Sequence, residues 1–586
     1  MIFKPQFLES ELPLQEYPRP QMRRNSYLSL NGAWQYAIRK SKQTADYDGE
    51  ILVPYSPECK ASGVGRQLQK DEYLIYRRTF RLPDGFCVGR VLLNVGACDQ
   101  VSEVFINGAC VGRHEEGYLP YSLEITSSLI DGENEVVFVV RDNADSDVYG
   151  RGKQKYDRGG IWYTATSGIW QSVWLESVPE QYIKKLKLTP NFEEKTLCVQ
   201  CDLAGEVGEG NGISVSVTEG EKVISTVYMD GAEGVIDVSA CLPWSPQDPQ
   251  LYGVSVHYGE DHVESYFGLR SFSVVQKGEF KYFAVNGQPV YHNGLLDQGY
   301  WSEGLYTPPS NRAMYEEIKA VKDLGFNMLR KHIKVEPLLW YYYCDVLGVL
   351  VWQDMINGGA KYPAWRIMLA PFFNLRLKDG NYKKMGRSER SRAQYYAEAH
   401  GLIDCLYNCV SLCLWTPFNE AWGQFDALET WRRLKLVDNT RPYDHASGWQ
   451  DMGGGDVCSR HIYFRKAKPK NDRKRVLALT EFGGYSYAME GHVFSDKRFG
   501  YKKFKDVEKL TAAYERLYEK EVLPLIEKQG LSATVYTELT DIEDEVNGLF
   551  TFDRVLKMDG ERLKAVNEKV YQAFERNIEN MGNTEK

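Results

Sequence analysis

The 586-residue chain is predicted to be a multidomain protein of β and α/β parts. We expect an N-terminal β-sandwich at residues 1–179, an immunoglobulin-like β-sandwich at 180–276 and a C-terminal (β/α)8 TIM barrel at 277–586. Short alternating or wholly apolar runs between turn residues dominate the first part of the chain, which is typical of β-sandwiches. From about Phe283 such runs alternate with amphipathic helical segments, which is typical of a barrel of parallel strands.

The first two predicted domains are defined by their strand pattern. Strand-like runs recur in the first at residues 73–81, 91–95, 100–106, 135–141 and 169–176. The dipeptide Asn107-Gly108 separates two of these runs and favours a two-residue hairpin, because both central residues of such a turn take positive φ. A further series of strand-like runs, from Ile183 to Val275, predicts the immunoglobulin-like sandwich.

The predicted barrel has eight strands and intervening helices. The strands begin near Val290, Asn327, Val349, Ser411, Asp444, Val457, Val476 and Ala533. Helices are predicted at residues 311–325, 337–347, 388–407, 427–438, 506–529 and 563–578. In the first helix an apolar stripe at helical spacing runs from Tyr315 to Leu324. The short, Gly-rich connection between the fifth and sixth strands fits this pattern least well.

Composition argues against several classes of function. The net charge is -9 with both signs intermixed, so no nucleic-acid partner is expected, and the basic run at 465–475 is interpreted as a solvated loop. No stretch approaches the roughly 20 apolar residues of a membrane span. The N-terminus lacks the apolar core of a signal peptide, so we expect a cytoplasmic protein with reduced thiols.

Neither a cofactor nor a metal is expected. The 12 cysteines include no Cys-x-x-Cys pair. Cys405, Cys409 and Cys413 recur at helical spacing, but no nearby histidine completes a metal ligand set, so one side of a buried segment is the preferred explanation. The aromatic content of 13% is compatible with carbohydrate binding, because tyrosine and tryptophan combine an apolar face with a polar group.

Two glutamates follow apolar strands of the predicted barrel. Glu420 ends the fourth strand in the sequence SLCLWTPFNE, and Glu481 ends the seventh in VLALTE, before Phe-Gly-Gly. Strands four and seven face each other across the barrel mouth, where active sites of this fold lie. A pair of carboxyl groups about 5–5.5 Å apart is what retaining glycoside hydrolysis requires. Glu420 and Glu481 are therefore predicted to be a catalytic carboxyl pair, one acting as general acid/base and the other as nucleophile, although a lone glutamate after an apolar run is usually a solvated loop residue.

Motifs along nearly the whole chain resemble those of glycoside hydrolase family 2, the family of β-galactosidases, β-glucuronidases and β-mannosidases. They are YPRPQ at 17–21, LNGAW at 30–34, TSGIW at 166–170, GLR at 268–270, GFNMLRKH at 325–332, VWQD at 351–354, WTPFNE at 415–420 and TEFGG at 480–484. The resemblance implies that the first β-sandwich is a jelly roll. It also implies a retaining exo-β-glycosidase that acts on terminal sugars, with Glu481 as the nucleophile and Glu420 as the general acid/base. Members of the family often form homo-oligomers.

The resemblance also implies roles for other residues. Arg330 would hold the nucleophile ionised, His332 would contact sugar hydroxyls, Tyr463 would orient Glu481, and His461 would line the pocket. From its position before Glu420, Asn419 is suited to bind a sugar hydroxyl beside the anomeric carbon. Further candidates, for each of which core packing or another structural role is the alternative, are Trp449 and Trp352 for stacking and Asp297, Asp354, Glu538 and Asp541 for hydroxyl binding.

Departures from the family pattern leave the sugar open. No Asn-x-Lys stretch of the chain can be assigned to the element that binds the sugar carboxylate in the family's β-glucuronidases. The galactose and metal ligands of the large β-galactosidases do not transfer, because the first strand runs YHNGLLDQ at 291–298 and Gly-Gly follows Phe482. A β-galactoside is the first expected substrate, and β-glucuronides, β-galacturonides, β-mannosides and β-glucosides are the alternatives. A carbohydrate-binding protein without catalysis is the alternative from another class.

Overall fold

The structure is a computed structural model that describes residues 5–144, 148–205, 212–360, 378–463 and 465–584. Sheets occupy the first half of the chain, and a parallel sheet with helices occupies the second. The predicted combination of β and α/β parts is confirmed. None of the helices in these ranges is both long enough and apolar enough to cross a membrane.

Two antiparallel sheets form the first β region. The four-stranded sheet contains, in spatial order, Leu28–Ser29, Val173–Val178, Arg90–Val95 and Tyr121–Glu124. The six-stranded sheet contains Gly49–Val53, Gly32–Arg39, Tyr73–Arg81, Glu133–Arg141, Val101–Ile106 and Ala109–Glu115. Trp34, Val104 and Phe138 lie in a common apolar core, to which these strands contribute alternate residues. The hairpin predicted at Asn107-Gly108 is confirmed, with φ values of 50° and 82°.

Shorter elements complete this region. Cys98–Asp99 pairs with Gly168–Ile169, and Gln154–Lys155 pairs in parallel with Tyr163–Thr164. Short 3-10 turns lie at Pro20–Met22, Lys60–Ser62 and Thr126–Ser128. Just before the strand Gln154–Lys155, Gly150 bridges with Gly358, which follows a strand of the parallel sheet.

A second β region follows. Its sheets contain Tyr182–Asn191, Thr196–Ala204 and Glu233–Asp237 in one, and Lys222–Met229, Ile213–Glu219, Tyr252–Tyr258 and Asp261–Phe267 in the other. A separate apolar core, which includes Val215, Val256 and Leu197, lies within this region. The strands Phe272–Lys277, Phe280–Val285 and Gln288–Pro289 form a small sheet that leads into the parallel sheet.

Seven parallel strands form the sheet that carries the site. In spatial order they are Leu412–Thr416, Leu350–Asp354, Met328–Lys331, His292–Asp297, Leu531–Thr537, Val476–Gly483 and Val457–Ile462. The segment 442–447 lies between the two edge strands: the Asp444 amide donates to the Trp415 carbonyl at 2.9 Å, and the Asp456 amide donates to the Tyr443 carbonyl at 2.8 Å. The sheet therefore curls toward closure.

The predicted fifth strand differs from the prediction. Around Asp444 the described chain makes only isolated bridges, Trp415 with Tyr443 and Asn419 with Ser447, and no continuous ladder. Pro442 lacks the N–H that a ladder would use, and the connection to the next strand is short. The carbonyl of Pro442 still accepts from the Trp415 amide, so the segment is held against the fourth strand.

Helices cover the parallel sheet. The described α-helices are Asn311–Asp323, Leu338–Leu347, Glu389–Leu406, Ala427–Val437, Val507–Leu517, Leu523–Gln529 and Gly560–Thr584, with a π-helical turn at Tyr518–Val522. The first helix begins where the Ser310 hydroxyl accepts from the Ala313 amide at 3.1 Å. The Ser388 side chain caps the start of the helix Glu389–Leu406 in the same way. Such caps satisfy amides that have no partner within a helix. The buried face of the first helix includes Ile318 and Val321, as the apolar stripe predicts.

Candidate active site

Glu420 and Glu481 converge at the carboxyl ends of the parallel strands. One carboxylate oxygen of each, together with a ring nitrogen of His461, lies within 4.8 Å of the others. Glu481 is part of the strand Val476–Gly483, whereas Glu420 follows Leu412–Thr416 and has a φ of 48°. The Glu420 side chain is 13% exposed and that of Glu481 is 5% exposed, so Glu420 is nearer to solvent.

His461 contacts both carboxyl groups. Its Nδ1 lies 2.8 Å from Oε1 of Glu420 and 3.5 Å from Oε2 of Glu481. Its Nε2 lies 3.0 Å from the hydroxyl of Ser447, which fixes the plane of the ring. The indole N–H of Trp422 donates to Oε2 of Glu420 at 3.3 Å. Glu420 is therefore held by a histidine from the edge strand and by a tryptophan two residues along the chain.

Arg330 links the nucleophile candidate to its surroundings. The guanidinium is buried and donates to Oε1 of Glu481 at 3.2 Å and to Oδ1 of Asn419 at 2.8 Å. Both oxygens of Asp354 accept from the same guanidinium, at 3.0 and 3.1 Å. The planar fork of arginine suits such a bidentate contact. Arg330 therefore orients Glu481 and Asn419 from one fixed position.

Glu481 is held in its ionised form. Burial by itself would raise the pKa of this carboxyl, but the positive charges of His461, Arg330, His332 and Lys153 outweigh burial and lower the pKa to about 2. The Tyr463 hydroxyl donates to Oε2 of Glu481. Burial and the Glu481 charge raise the pKa of Tyr463 well above its ordinary value, so this donor keeps its proton. A carboxylate that is ionised and oriented in this way is suited to nucleophilic attack.

Several polar atoms around the carboxyl pair are buried without a hydrogen-bond partner in the described structure. They include Nε2 of His332, Nδ2 of Asn419 and Nε1 of Trp449. His332 is fixed through Nδ1, 2.7 Å from Asp354, and the Trp449 ring meets that of His461 edge-on at 5.3 Å. Unpaired buried polar atoms cost stability unless a ligand satisfies them. Their positions suit hydroxyl groups of a bound sugar.

Two predicted hydroxyl-binding residues have other partners in the structure. Both oxygens of Asp354 contact Arg330 or His332, so this carboxylate positions those two residues. Asp297 accepts from the ammonium of Lys331 at 2.6 Å and from the Gly299 amide at 2.8 Å, in a network that includes Glu336. The structure therefore gives both carboxylates positioning partners, and their contact with sugar hydroxyls stays a prediction.

Trp352 and Asp541 also have structural partners. Trp352 is fully buried and donates to Nδ1 of His292 at 3.0 Å, so it belongs to the core. Asp541 accepts from the buried ammonium of Lys557 at 2.6 Å. Sequence patterns did not reveal these pairings, because each partner lies on a different element.

Glu538 follows the strand Leu531–Thr537 and lies beside a second carboxyl group. Gln298 donates to Oε2 of Glu538 at 2.5 Å and to the hydroxyl of Tyr163 at 2.7 Å. That hydroxyl donates to Glu545, which also accepts from Asn547 at 3.1 Å. Burial and the neighbouring Glu545 raise the pKa of Glu538 well above its ordinary value. The pair therefore shares a site in which one carboxyl group keeps its proton.

Several residues of the site were missed by sequence reasoning. Lys153 and Tyr163 come from the first β region, and Tyr501 stacks on Tyr463 with ring centres 4.2 Å apart. Trp422 contacts Trp162 edge-on at 4.7 Å. The proximity of Trp422 to Glu420 along the chain was an available signal. Lys153, Tyr163 and Tyr501 gave no such signal, because they are not adjacent to either glutamate along the chain.

A metal ion would compete with existing contacts at this site. Within the described ranges, Glu420, His461 and Glu481 form the one set of three His, Cys, Asp or Glu side chains near enough to share an ion. Glu481 is already bound by Arg330 and Tyr463, and Glu420 by His461 and Trp422. The contacts match a carboxyl pair arranged for acid–base and nucleophilic chemistry.

Comparison with known proteins identifies the family. Two family models match, “Glycosyl hydrolases family 2, sugar binding domain” at residues 65–179 and “Glycosyl hydrolases family 2” at residues 181–270. The chain belongs to glycoside hydrolase family 2. A β-galactosidase of Thermoanaerobacter pseudethanolicus is 25% identical over 79% of this chain and 62% of its own length. This family 2 chain thus spans about three-fifths of that relative, and 33–38% of several other curated relatives.

Solved structures share the fold of this family 2 protein. The β-D-glucuronidase of Dictyoglomus thermophilum superposes with a TM-score of 0.72 at 19% identity, over 96% of this chain and 98% of that one. A β-galacturonidase from Eisenbergiella tayi, solved with galacturonate, has a TM-score of 0.69 at 18% identity, over 93% and 97% of the two chains. At these identities the likeness establishes the fold.

Proposed function

We propose that this protein is a retaining exo-β-glycosidase in which Glu481 is the nucleophile and Glu420 the general acid/base. The observation that carries the proposal is the approach of their carboxylate oxygens to within 4.8 Å of each other. Retaining enzymes hold their carboxyl groups about 5–5.5 Å apart, whereas inverting enzymes need about 6.5–9.5 Å to admit a water molecule. The close approach supports direct attack on the sugar.

The reaction would proceed in two displacements. In the first, an oxygen of Glu481 forms a bond to the anomeric carbon while the bond from that carbon to the leaving oxygen breaks, and Glu420 gives its proton to that oxygen. In the second, Glu420 takes a proton from water, the water oxygen bonds to the anomeric carbon, and Glu481 is released as a carboxylate. The greater exposure of Glu420 supports this division, since only the acid/base must meet both the aglycone and water.

The active-site surroundings support an exo mode of action. Trp162 from the first β region packs against Trp422, and the Arg151 amide donates to the Asn357 carbonyl at 2.5 Å. The first β region therefore covers one side of the site at the carboxyl ends of the parallel strands. We further propose that the curled sheet is the family's (β/α)8 barrel. The β regions at 1–179 and 180–276 would then be its jelly-roll and immunoglobulin-like domains.

A β-galactoside is the first proposed substrate, as the name of the Thermoanaerobacter relative suggests. β-Uronides are the second candidate. The solved neighbours include a glucuronidase and a galacturonidase. In addition, the ammonium of Lys153 has no hydrogen-bond or ion-pair partner among the described residues. A cation near the nucleophile is a feature that a uronate carboxylate could use.

Trapping of the covalent intermediate tests this function. Incubation with 2-deoxy-2-fluoro-β-glycosides that carry dinitrophenyl leaving groups should add one sugar to the protein, located on Glu481 by peptide mass spectrometry. Glu481→Ala should abolish both turnover and labelling. Glu420→Ala should keep the first step for the dinitrophenyl substrate and should yield a β-glycosyl azide when azide is added, because that leaving group needs little protonation. Sugar binding without turnover or labelling would instead support a non-catalytic carbohydrate-binding protein.

A further inference from the structure

Two tryptophans from distant parts of the chain meet beside Glu420. Trp162 ends a tight turn of the first β region, and Trp422 lies two residues after Glu420. Their rings meet edge-on with centroids 4.7 Å apart, and the Trp422 indole N–H donates to Oε2 of Glu420 at 3.3 Å. Both tryptophans are partly exposed, so they present apolar surface next to the acid/base candidate.

The turn that carries Trp162 lies against the barrel-side loops of the site. The Gly159 amide donates to the Trp162 carbonyl at 2.8 Å, and the Trp162 amide donates to the Gly159 carbonyl at 3.2 Å. Gly160, inside the turn, has a φ of 62°, which glycine adopts without strain. A Cβ on Gly160 would lie 3.8 Å from the ring of Phe499, and one on Gly159 would lie 3.8 Å from Asp544. The turn therefore contacts loops that follow two of the parallel strands.

Residues near Trp162 fix the position of its ring. The two oxygens of Glu543 accept from the Thr164 amide at 3.1 and 3.2 Å, which holds the chain just after Trp162. The Lys155 ammonium lies over the Trp162 ring, 3.7 Å from its centroid, as in a cation–π contact. Because Lys155 covers one face, a ligand would contact the opposite face or the edge of this indole.

The two oxygens of Glu420 face different parts of the site. Oε1 lies 2.8 Å from Nδ1 of His461, a nitrogen that is also 3.5 Å from Glu481, whereas Oε2 accepts from Trp422. In a double displacement the leaving group departs from the side of the anomeric carbon opposite the nucleophile, where the acid protonates it. The leaving group therefore belongs on the side of Glu420 that points away from Glu481, and Trp422 lies on that side.

We propose that Trp162 and Trp422 form a leaving-group subsite that binds a ring with an apolar face, either an aromatic aglycone or the next sugar of an oligosaccharide. This proposal rests on the proposed glycosidase function and concerns the part of the substrate beyond the cleaved bond. Aromatic rings and the apolar faces of sugar rings both pack on indoles. Because Trp162 belongs to the first β region, that region takes part directly in the choice of leaving group.

Competition between acceptor alcohols tests the proposal. The glycosyl-enzyme formed from a dinitrophenyl glycoside can react with an alcohol in place of water, and that alcohol must occupy the position of the leaving group. The ratio of products from two alcohols at equal concentration therefore compares their binding there, whatever the overall rate. We expect the wild-type protein to prefer benzyl alcohol or methyl glucoside to methanol by about tenfold. Which of the two rings is preferred distinguishes an aromatic aglycone from an oligosaccharide.

Trp162→Ala should remove most of that preference, so the ratio of ring-bearing product to methyl product should fall about tenfold. Trp162→Phe, which keeps an aromatic ring, should retain part of it. Inhibition by the free sugar product, which has no leaving group, should be the same in the wild type and in both variants. Trp431→Ala is the matched control, because Trp431 is also partly exposed and lies 5.7 Å from a lysine ammonium, that of Lys435, but on the helix Ala427–Val437.

The outcomes separate the subsite from the proposed function. A wild-type protein that prefers neither ring to methanol overturns the subsite proposal and leaves the double displacement intact, and this result needs no variant to fold. An unchanged product ratio in Trp162→Ala overturns it as well, because the ratio does not depend on the amount of active protein. If no dinitrophenyl glycoside forms a glycosyl-enzyme on Glu481, the proposed function itself fails, and the subsite proposal fails with it.

Discussion

Nδ1 of His461 lies 2.8 Å from Oε1 of Glu420 and also faces the other catalytic candidate, Glu481, at 3.5 Å. A single ring nitrogen carries at most one proton, so His461 donates it to one carboxylate at a time. The proton state of the acid/base and the charge of the nucleophile are therefore coupled through one imidazole. Ser447 fixes the ring from the opposite nitrogen at 3.0 Å.

Replacing His461 should impair proton transfer more than attack. We expect His461→Asn to reduce kcat by about 10- to 100-fold for glycosides with poor leaving groups, because Glu420 loses its principal partner. The reduction should be smaller for dinitrophenyl glycosides, which need little protonation. The measurement is kcat across a series of aryl glycosides of graded leaving-group pKa. Ser447→Ala, which leaves the contact with Glu420 in place, is the control, and an equal loss on every substrate would contradict the assignment.

Arg330→Met should shift the acid limb of the pH profile upward. The pKa of Glu481 is held at about 2 against burial, partly by the Arg330 charge. Without that charge the pKa rises, so activity should fall at a higher pH than in the wild type. The measurement is kcat/KM against pH. Arg330→Lys keeps a positive charge, so its acid limb should lie between those of the wild type and Arg330→Met. Identical acid limbs in all three proteins would count against a role of Arg330 in lowering the pKa of Glu481.

The same substitution changes stability with pH. Because the folded-state pKa of Glu481 is depressed, its ionisation stabilises the fold above the unfolded pKa near 4.5, and this stabilisation is lost as pH falls toward 2. Arg330→Met should be destabilised at neutral pH by about 3–5 kcal/mol, because it leaves buried carboxylates unpaired. The difference in free energy of unfolding between the wild type and Arg330→Met, measured by chemical unfolding, should decrease as the pH falls from 4.5 to 2, because those carboxyl groups gain protons.

Tyr463→Phe should slow the reaction without unfolding the protein. The Tyr463 hydroxyl donates to Oε2 of Glu481 and keeps its proton because its pKa is raised well above the ordinary value. Loss of one hydrogen bond to a charged group predicts about a 10- to 100-fold decrease in kcat. Steady-state kinetics measures the loss, and Tyr382→Phe, which removes a surface hydroxyl bound to Asp426, is the matched control. Unchanged kcat would mean that Arg330 alone orients the nucleophile.

Gly483→Ala should disturb the strand that carries the nucleophile. Gly483 has a φ of 87°, and a Cβ there would lie 2.4 Å from the ring of Tyr536. Alanine is strained at positive φ, and the ring would have to move, so we expect a loss of more than about 1 kcal/mol of stability together with reduced kcat. Gly220→Ala is the control, because it has a φ of 61° but open space around its Cβ. A similar fall in melting temperature for both would indicate backbone strain without a steric effect.

Local sequence was sufficient to predict most of the strands and to locate the two glutamates at strand ends. Alternation of apolar residues reports burial directly, and the carboxyl end of a buried strand is a position that can be read from a dozen residues, as at Glu420 and Glu481. The resemblance to the family added Arg330 and Tyr463, both of which form hydrogen bonds to Glu481. The fifth strand was predicted less accurately, because pairing across Asp444 depends on its neighbours and not on its own pattern.

What the sequence by itself determined is which residue types stand at the ends of which strands, because that information is local. The tertiary structure alone decided which of those polar groups pair with each other, as Asp354 pairs with Arg330 and Asp297 with Lys331. It also brought the Tyr163 hydroxyl to Glu545 across hundreds of residues of chain. Ion pairing and desolvation depend on distances of a few ångströms between segments remote in sequence, and only folding sets those distances.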